Sequence, residues 1–420
     1  MLRTERRLLP RRAGTGMALA ALLGLAGCSS SPVEPTSVAG GGAGTAPAAG
    51  TAAAPPARTG TPELQVTVVA EGLEHVWDIG FLPEGQVLLT ERRGRLSLLS
   101  GTGPGATVRP VRAELSDVYA RGEGGLMGMV VHPDFAQSRR FTTCQTHAED
   151  DTATDVRLVT WQLSADGSAA ERVRDPLVGG LPINPSGRHS GCRPTVAADG
   201  TLLVGTGDTA RGSLPQDPNS LGGKVLRIDL ETGGPPPDNP FVTADNPAAR
   251  LVWDFGHRNV QGVAVQPGTG RAYSAEHGPT SDDEVNLLQP GRNYGWDPAQ
   301  GGTVSGYDES VPMTDLDRFP EAVPAVWSSG RPVEALSGAA FLTGPQWGEL
   351  DGTLAVGALR GEKLLLMTIG ADGGVTQVGI PGPLDGEFGR LRAVRTAPDG
   401  ALFVSTSNGD DDKVLRVDPV

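Results

Sequence analysis

Six times along the chain one short pattern returns: one or two apolar residues, a turn built from Pro, Asp or Gly, then a brief run of alternating hydrophobicity. It starts at Phe81 (FLPEGQVLLTER), Val130 (VVHPDFAQSRRFTTC), Val196 (VAADGTLLVGTGD), Val263 (VAVQPGTGRAYSAEH), Ala339 (AAFLTGPQWGELDGTLAVGAL) and Val394 (VRTAPDGALFVSTSN). The copies stand roughly 50–75 residues apart, slightly above a usual blade period. Between them lie second strand-like runs: GRLSLLS, DVRLVTWQL, GKVLRIDL, EVNLLQPG, EKLLLMTI and KVLRVDP. Each alternates with period two, or is a short apolar run bounded by turn residues. Stretches with a 3.6-residue period are scarce, and 60 Gly with 35 Pro suit a chain full of turns. The expected fold is all-β, a six-bladed β-propeller with about four antiparallel strands per blade. A ring must hide its sheet edges, so a strand near Leu64 to Ala70 is expected to complete the last blade. Six copies of one unit disfavour a pair of β-sandwiches.

The repeats do not begin at Met1. Residues 1–28 read as a lipoprotein signal peptide: a basic flank, MLRTERRLLPRR, then a short apolar core from Met17 to Gly27. That core is too short to span a bilayer. It ends in Leu25-Ala26-Gly27-Cys28, a lipobox that would leave the Cys28 thiol to carry lipid after cleavage. Residues 29–61, rich in Ala, Gly, Pro, Ser and Thr, cannot bury a core and read as a disordered tether. Residues 62–420 form the expected propeller domain. The protein is thus expected to be exported, extracytoplasmic and held at the cell membrane through lipid on Cys28. A net charge of −14 argues against nucleic-acid binding, which needs a basic face. In an exported protein, two remaining cysteines pair more often than not. Cys144 and Cys192 fall in strand-like segments of successive repeats, so a disulfide between neighbouring blades is expected.

One stretch, from Trp253 to Trp296, concentrates unusual chemistry. Arg258 and Asn259 set a guanidinium beside an amide, which suits an anionic planar ligand. Gly278-Pro279 followed by Asp282, Asp283 and Glu284 suits a hard cation, since carbonyls and carboxylates are calcium ligands. No GxGxxG opens a helix after a strand, and no GxSxG elbow is present, so Rossmann cofactors and α/β-hydrolase chemistry are disfavoured.

GHRN (Gly256 to Asn259), EHGP (Glu276 to Pro279) and DDEVN (Asp282 to Asn286) closely resemble the soluble PQQ-dependent sugar dehydrogenases of the glucose/sorbosone dehydrogenase family, in its aldose sugar dehydrogenase branch. The likeness continues through GLMGMVVHPDF (from Gly125), RHSGCR (from Arg188), TGD (from Thr206), LGGKVLRID (from Leu221) and GRLRAV (from Gly389), in the family's order. It implies a six-bladed propeller that binds PQQ, a flat tricyclic quinone with three carboxylates, together with calcium. It also implies oxidation of the C1 hydroxyl of aldoses to lactones, with electrons passed to an unidentified external acceptor. By resemblance His189 is the catalytic base and Asp208 its orienting carboxylate, with Arg258 acting in both catalysis and cofactor binding. Asn259, Arg360, Arg390 and Arg392 would complete the PQQ site. Backbone oxygens of Gly278 and Pro279 would hold the active-site calcium, and Glu284 with Tyr294 a second, structural one.

Three positions depart from the pattern. Glu123 stands where many members carry Gln, and Arg188 where glucose-oxidising members carry Asp; both are expected near the substrate. Arg360 replaces a lysine, which keeps charge but changes donor geometry. The swap at Arg188 argues against glucose as the preferred sugar. His132, within HPDF, reads as a turn-packing residue. Trp253, Trp327 and Trp347 are candidates for a sugar platform or for the core. Four arginines in motif register within an acidic chain are expected to converge on one rim, with no acid partner adjacent in sequence. Two other functions remain open on this scaffold: a calcium-dependent lactonase, which would not need the arginines, and a non-catalytic binding propeller.

Overall fold

The computed structural model describes residues 60–302 and 306–420. Residues 1–59, which hold the expected signal peptide with Cys28 and nearly all of the expected tether, lie outside the described residues. The described chain forms six four-stranded antiparallel sheets. Blades one to five are each continuous in sequence, with innermost strands Val76–Phe81, Leu126–Val131, Arg193–Val196, Val260–Val265 and Leu336–Phe341. The sixth begins at Leu391–Thr396 and ends at Asp412–Pro419, and its outer edge is covered by Leu64–Leu73. Leu64 pairs with Pro419 and Val66 with Val417, so the first described strand closes the ring, as the sequence predicts. Each innermost strand packs against that of the next blade, and the sixth against the first.

Each repeat seen in the sequence is the end of an innermost strand, its turn and the second strand. The alternating runs between repeats are the third strands, for example Arg95–Leu99 and Lys224–Ile228. Faces of neighbouring sheets bury Val, Leu and Phe side chains against each other, as Leu88, Leu98, Phe141 and Trp161 do between blades one and two. Each such fully buried side chain contributes roughly 1.5–3 kcal/mol. Near the axis there is room for little else than backbone. A Cβ on Gly338 would stand 2.6 Å from the Arg392 carbonyl of the next blade.

Two features of the axis position the site. The innermost strands of blades one, four and six slip register against their second strands near their starts, leaving Trp77, Gln261, and Arg392 with Ala393, out of step. Such bulges re-aim side chains. Deeper in, Asp78 of blade one is fully buried and accepts the Met129 amide at 2.9 Å. It also takes a two-point contact from Arg395 at 2.9 and 2.6 Å and an ion pair from Arg193 at 2.8 Å. One carboxylate thereby ties together blades one, two, three and six. Cys144 and Cys192 form a disulfide between blades two and three, with Cα atoms 6.1 Å apart.

Candidate active site

Segments that precede the innermost strands, and those that follow the second strands, meet at one end of the ring. His189 lies there, 3% exposed, in the left-handed region at φ 52°. That conformation is uncommon for a residue with a side chain and marks a position held by its surroundings. Its Nδ1 stands 2.6 Å from Asp208 Oδ1. The Asp208 carboxylate is fully buried and also accepts the Trp296 indole N–H at 2.8 Å and the Tyr307 hydroxyl at 2.5 Å. With Nδ1 engaged by a carboxylate, the ring carries its proton there and leaves the Nε2 lone pair free. Gly207 allows this approach, because a Cβ at that position would collide with the His189 carbonyl. Below, the buried Lys224 amine donates to the carbonyls of Leu214, Pro215 and Gly222 at 2.7, 2.9 and 2.8 Å, anchoring the loop after Asp208. Burial pushes this amine down to about 7.

Asn259 and Arg258 come from the segment before blade four. Asn259 Oδ1 accepts the Gly191 amide at 3.1 Å, and its Nδ2 donates to Glu123 at 2.9 Å. Gln261 Nε2 donates to the same Glu123 oxygen at 3.0 Å, and Gln261 Oε1 accepts from Arg392 at 3.2 Å. Glu123 therefore lies at the hub of an amide network next to His189. Burial raises its carboxyl, but His189, Asn259, His277 and Arg392 outweigh burial and hold it below the usual value.

Arg392 is buried and stacks over Trp77, 5.2 Å from the ring centre. Among the described residues it forms no ion pair. Burial, with Arg193 and Arg390 nearby, pushes its guanidinium down to about 9 against the pull of Glu123. The four expected arginines all lie in segments at this end of the ring, but they differ in burial. Arg390 precedes the strand and is exposed, whereas Arg392 is buried, yet the charge of Arg390 still acts on Arg392. Arg360 is exposed; its amide bonds to the Glu334 carbonyl, in a segment docked on Asp283, and its side chain makes no ion pair among the described residues. Arg258 has an acid partner after all: Glu309 Oε1 accepts from Arg258 at 2.7 Å and from Arg188 at 2.8 Å. This partner lies 51 residues on in the chain, which adjacency in sequence cannot show. Arg188 is half exposed and lies over the Tyr307 ring, 5.8 Å from its centre. Arg92 was missed as well; it adds positive charge beside Arg392 and His75.

The Gly278-Pro279 turn is held by Asp283, whose Oδ1 accepts the Gly278 amide at 2.7 Å. The Gly278 carbonyl faces His277 Nδ1 at 2.6 Å, and the His277 carbonyl accepts from Arg258 at 2.7 Å. Beneath this turn lies a buried acidic layer. His257 bridges Glu276 at 2.7 Å and Asp254 at 3.0 Å. Burial opposes its charge, but Glu276 and Asp254 prevail and raise the imidazole to about 10. Glu284 is buried and receives the Thr314 hydroxyl at 3.0 Å, yet no cation pairs with it among the described residues. Burial and the neighbouring Glu276 push its carboxyl up to about 8. A carboxylate so placed fits a calcium site. Tyr294 stacks on His257 at 4.5 Å and its hydroxyl donates to the Leu287 carbonyl at 2.6 Å, so only its main chain is left to act as a ligand.

The candidate sugar-platform tryptophans do not reach His189. Trp347 is core and donates to the Gly400 carbonyl, Trp253 packs under Arg227, and Trp327 sits on an outermost strand. The aromatic side chains beside His189 are Trp296 and Tyr307.

A closed propeller with an oriented imidazole and a cationic pocket at one end narrows the class, and comparison with known proteins makes it definite. The Glucose / Sorbosone dehydrogenase family model matches residues 73–416, and the chain belongs to that family of sugar oxidoreductases. Aldose sugar dehydrogenase YliI of Escherichia coli (strain K12) is 33% identical over 359 residues, covering 85% of this chain and 93% of its own length. The solved apo-form of the soluble aldose sugar dehydrogenase from Escherichia coli aligns with a TM-score of 0.71 at 31% identity, over 85% of this chain and 100% of its own. The PQQ-bound form of aldose sugar dehydrogenase from Streptomyces coelicolor aligns with a TM-score of 0.67 at 29% identity, over 87% and 99%.

Proposed function

We propose that this protein is a PQQ- and calcium-dependent aldose dehydrogenase that oxidises the C1 hydroxyl to a lactone. The observation that carries the reading is Arg392: a buried guanidinium that forms no ion pair among the described residues, beside an imidazole oriented by Asp208. Such a cation is costly unless an anion joins it. A tricarboxylate quinone meets that need, with Arg392 and Asn259 as its holders and Arg258 joining once Glu309 yields. When bound, the quinone would supply the hydride-accepting chemistry that no side chain provides. His189 Nε2 takes the hydroxyl proton, and Asp208 stabilises the imidazolium that results. Trp296 and Tyr307 fix Asp208 from the far side, so the imidazole cannot swing away from the substrate hydroxyl. Calcium fits two places: the Gly278 and Pro279 carbonyls, and Glu284 with the Tyr294 main chain. The disulfide is in keeping with export, and Cys28 in the lipobox would carry the membrane anchor.

The experiment is reconstitution. Chelator-stripped, quinone-free protein should show no dye-linked aldose oxidation until both PQQ and calcium are supplied. Full activity without either would sink the reading. Lactone hydrolysis in its place would favour a hydrolase.

A further inference from the structure

His132 does more than pack a turn. It follows the innermost strand of blade two, at the opposite end of the ring from His189, and the residue is 2% exposed. Its Nε2 is fixed by the Thr142 hydroxyl at 2.8 Å, which is linked in turn to Thr160 at 2.9 Å. Its Nδ1 is buried and makes no hydrogen bond among the described residues, although Glu231 Oε1 of blade three lies 3.3 Å away. Asp134 completes a group whose three ligand atoms all lie within 4.8 Å of one another.

We propose that His132, Asp134 and Glu231 form a divalent transition-metal site, with zinc as the natural occupant, that clips blade two to blade three. Three features support it. The 3.3 Å separation matches the edge of a tetrahedron with ligand bonds of about 2.0–2.1 Å. Each ligand is steadied by a second group: Thr142 on His132, Ser138 on Asp134 at 2.9 Å, and Arg140 on the other oxygen of Glu231 at 2.8 Å. Outer-shell anchoring of this kind is what orients metal ligands. An imidazole nitrogen with two carboxylates selects a borderline metal over calcium or magnesium. Asp134 and Glu231 are exposed, which leaves an open side for water.

The test uses the full chain, stripped with chelator and then saturated with calcium so that oxygen-only sites are filled. Zinc binding is measured by calorimetry on the parent, on Glu231→Gln and on the Asp134→Asn/Glu231→Gln double variant. Both altered residues are exposed and outside the active site, so the fold and dye-linked activity should persist. The parent should bind one zinc more than the double variant, and Glu231→Gln should weaken that binding by about tenfold or more. Zinc should raise the thermal midpoint of the parent and not that of the double variant. Equal zinc binding by parent and double variant overturns the proposal, and so does calcium competing with zinc on equal terms.

Discussion

His189 combines a left-handed backbone, a buried carboxylate on one ring nitrogen and a free lone pair on the other. Removing the imidazole while keeping the pocket should separate chemistry from binding. His189→Ala is expected to retain PQQ binding, read by quinone absorbance, while turnover falls by roughly 10²–10⁴. Asp208→Asn should do less, because the ring stays in place. Asp78 offers a second residue-scale test, of stability. Burial pushes its carboxyl up, but Arg193 and Arg395 outweigh burial and hold it below the usual carboxylate value. Folding therefore gains from its ionisation. That gain is present above the unfolded pKa of about 3.9 and is lost as pH falls through the lower folded value. Asp78→Asn strands the buried Arg193 guanidinium and the partly buried Arg395 and should cost about 3–5 kcal/mol at pH 7. The gap between the two denaturation midpoints should stay constant above about pH 5 and shrink below about pH 4. At this scale the sequence is informative where a motif carries the residue. His189, Asp208, Arg258 and Asn259 were all legible that way, and the structure brings them together. Tyr307 and Glu309 were not. They sit in an irregular loop without periodicity, and only the closed ring brings them to Asp208 and Arg258.

Among the strands, the second and third of each blade announce themselves because both faces are buried and bounded by turns. The outermost strands do not. Ala170–Leu181 carries exposed Glu171 and Arg174 and a proline, and Trp327–Ser328 is only two residues long. A strand that pairs along one edge only has little need for strict alternation. The bulges that aim Gln261 and Arg392 were equally hidden, since a one-residue slip leaves no mark in composition. Between elements, the disulfide was legible from the repeat. It closes a span of 48 residues, worth about 4 kcal/mol in the chain-entropy model. Reduced and oxidised protein compared by denaturant titration should differ by about that amount. Because Cys192 is three positions from His189, reduction should also lower turnover before it unfolds the protein.

At the scale of the molecule, closure rests on one seam, where Leu64–Leu73 lies against Asp412–Pro419. Deleting residues 60–73 would bare the edge of blade six and remove Val66 and Val68, which pack against a core cluster that includes Val404, Leu415 and Val417. Such a variant is expected to unfold at lower denaturant than the parent and to aggregate through the open edge, measurable by light scattering. The seam has a further consequence, and it concerns time. The pairing residues Leu64 and Pro419 stand at the two ends of the propeller, so the first strand to emerge during synthesis waits for the last. Blades one to five can form as hairpins while the chain lengthens, because their pairings are local. The ring cannot shut until the final eight-residue strand is made. Throughout that interval the leading strand is an unpartnered ribbon, exposed to mispairing with a neighbouring nascent chain. A chain broken off before Asp412 would keep most of its blades and still never lose that hazard.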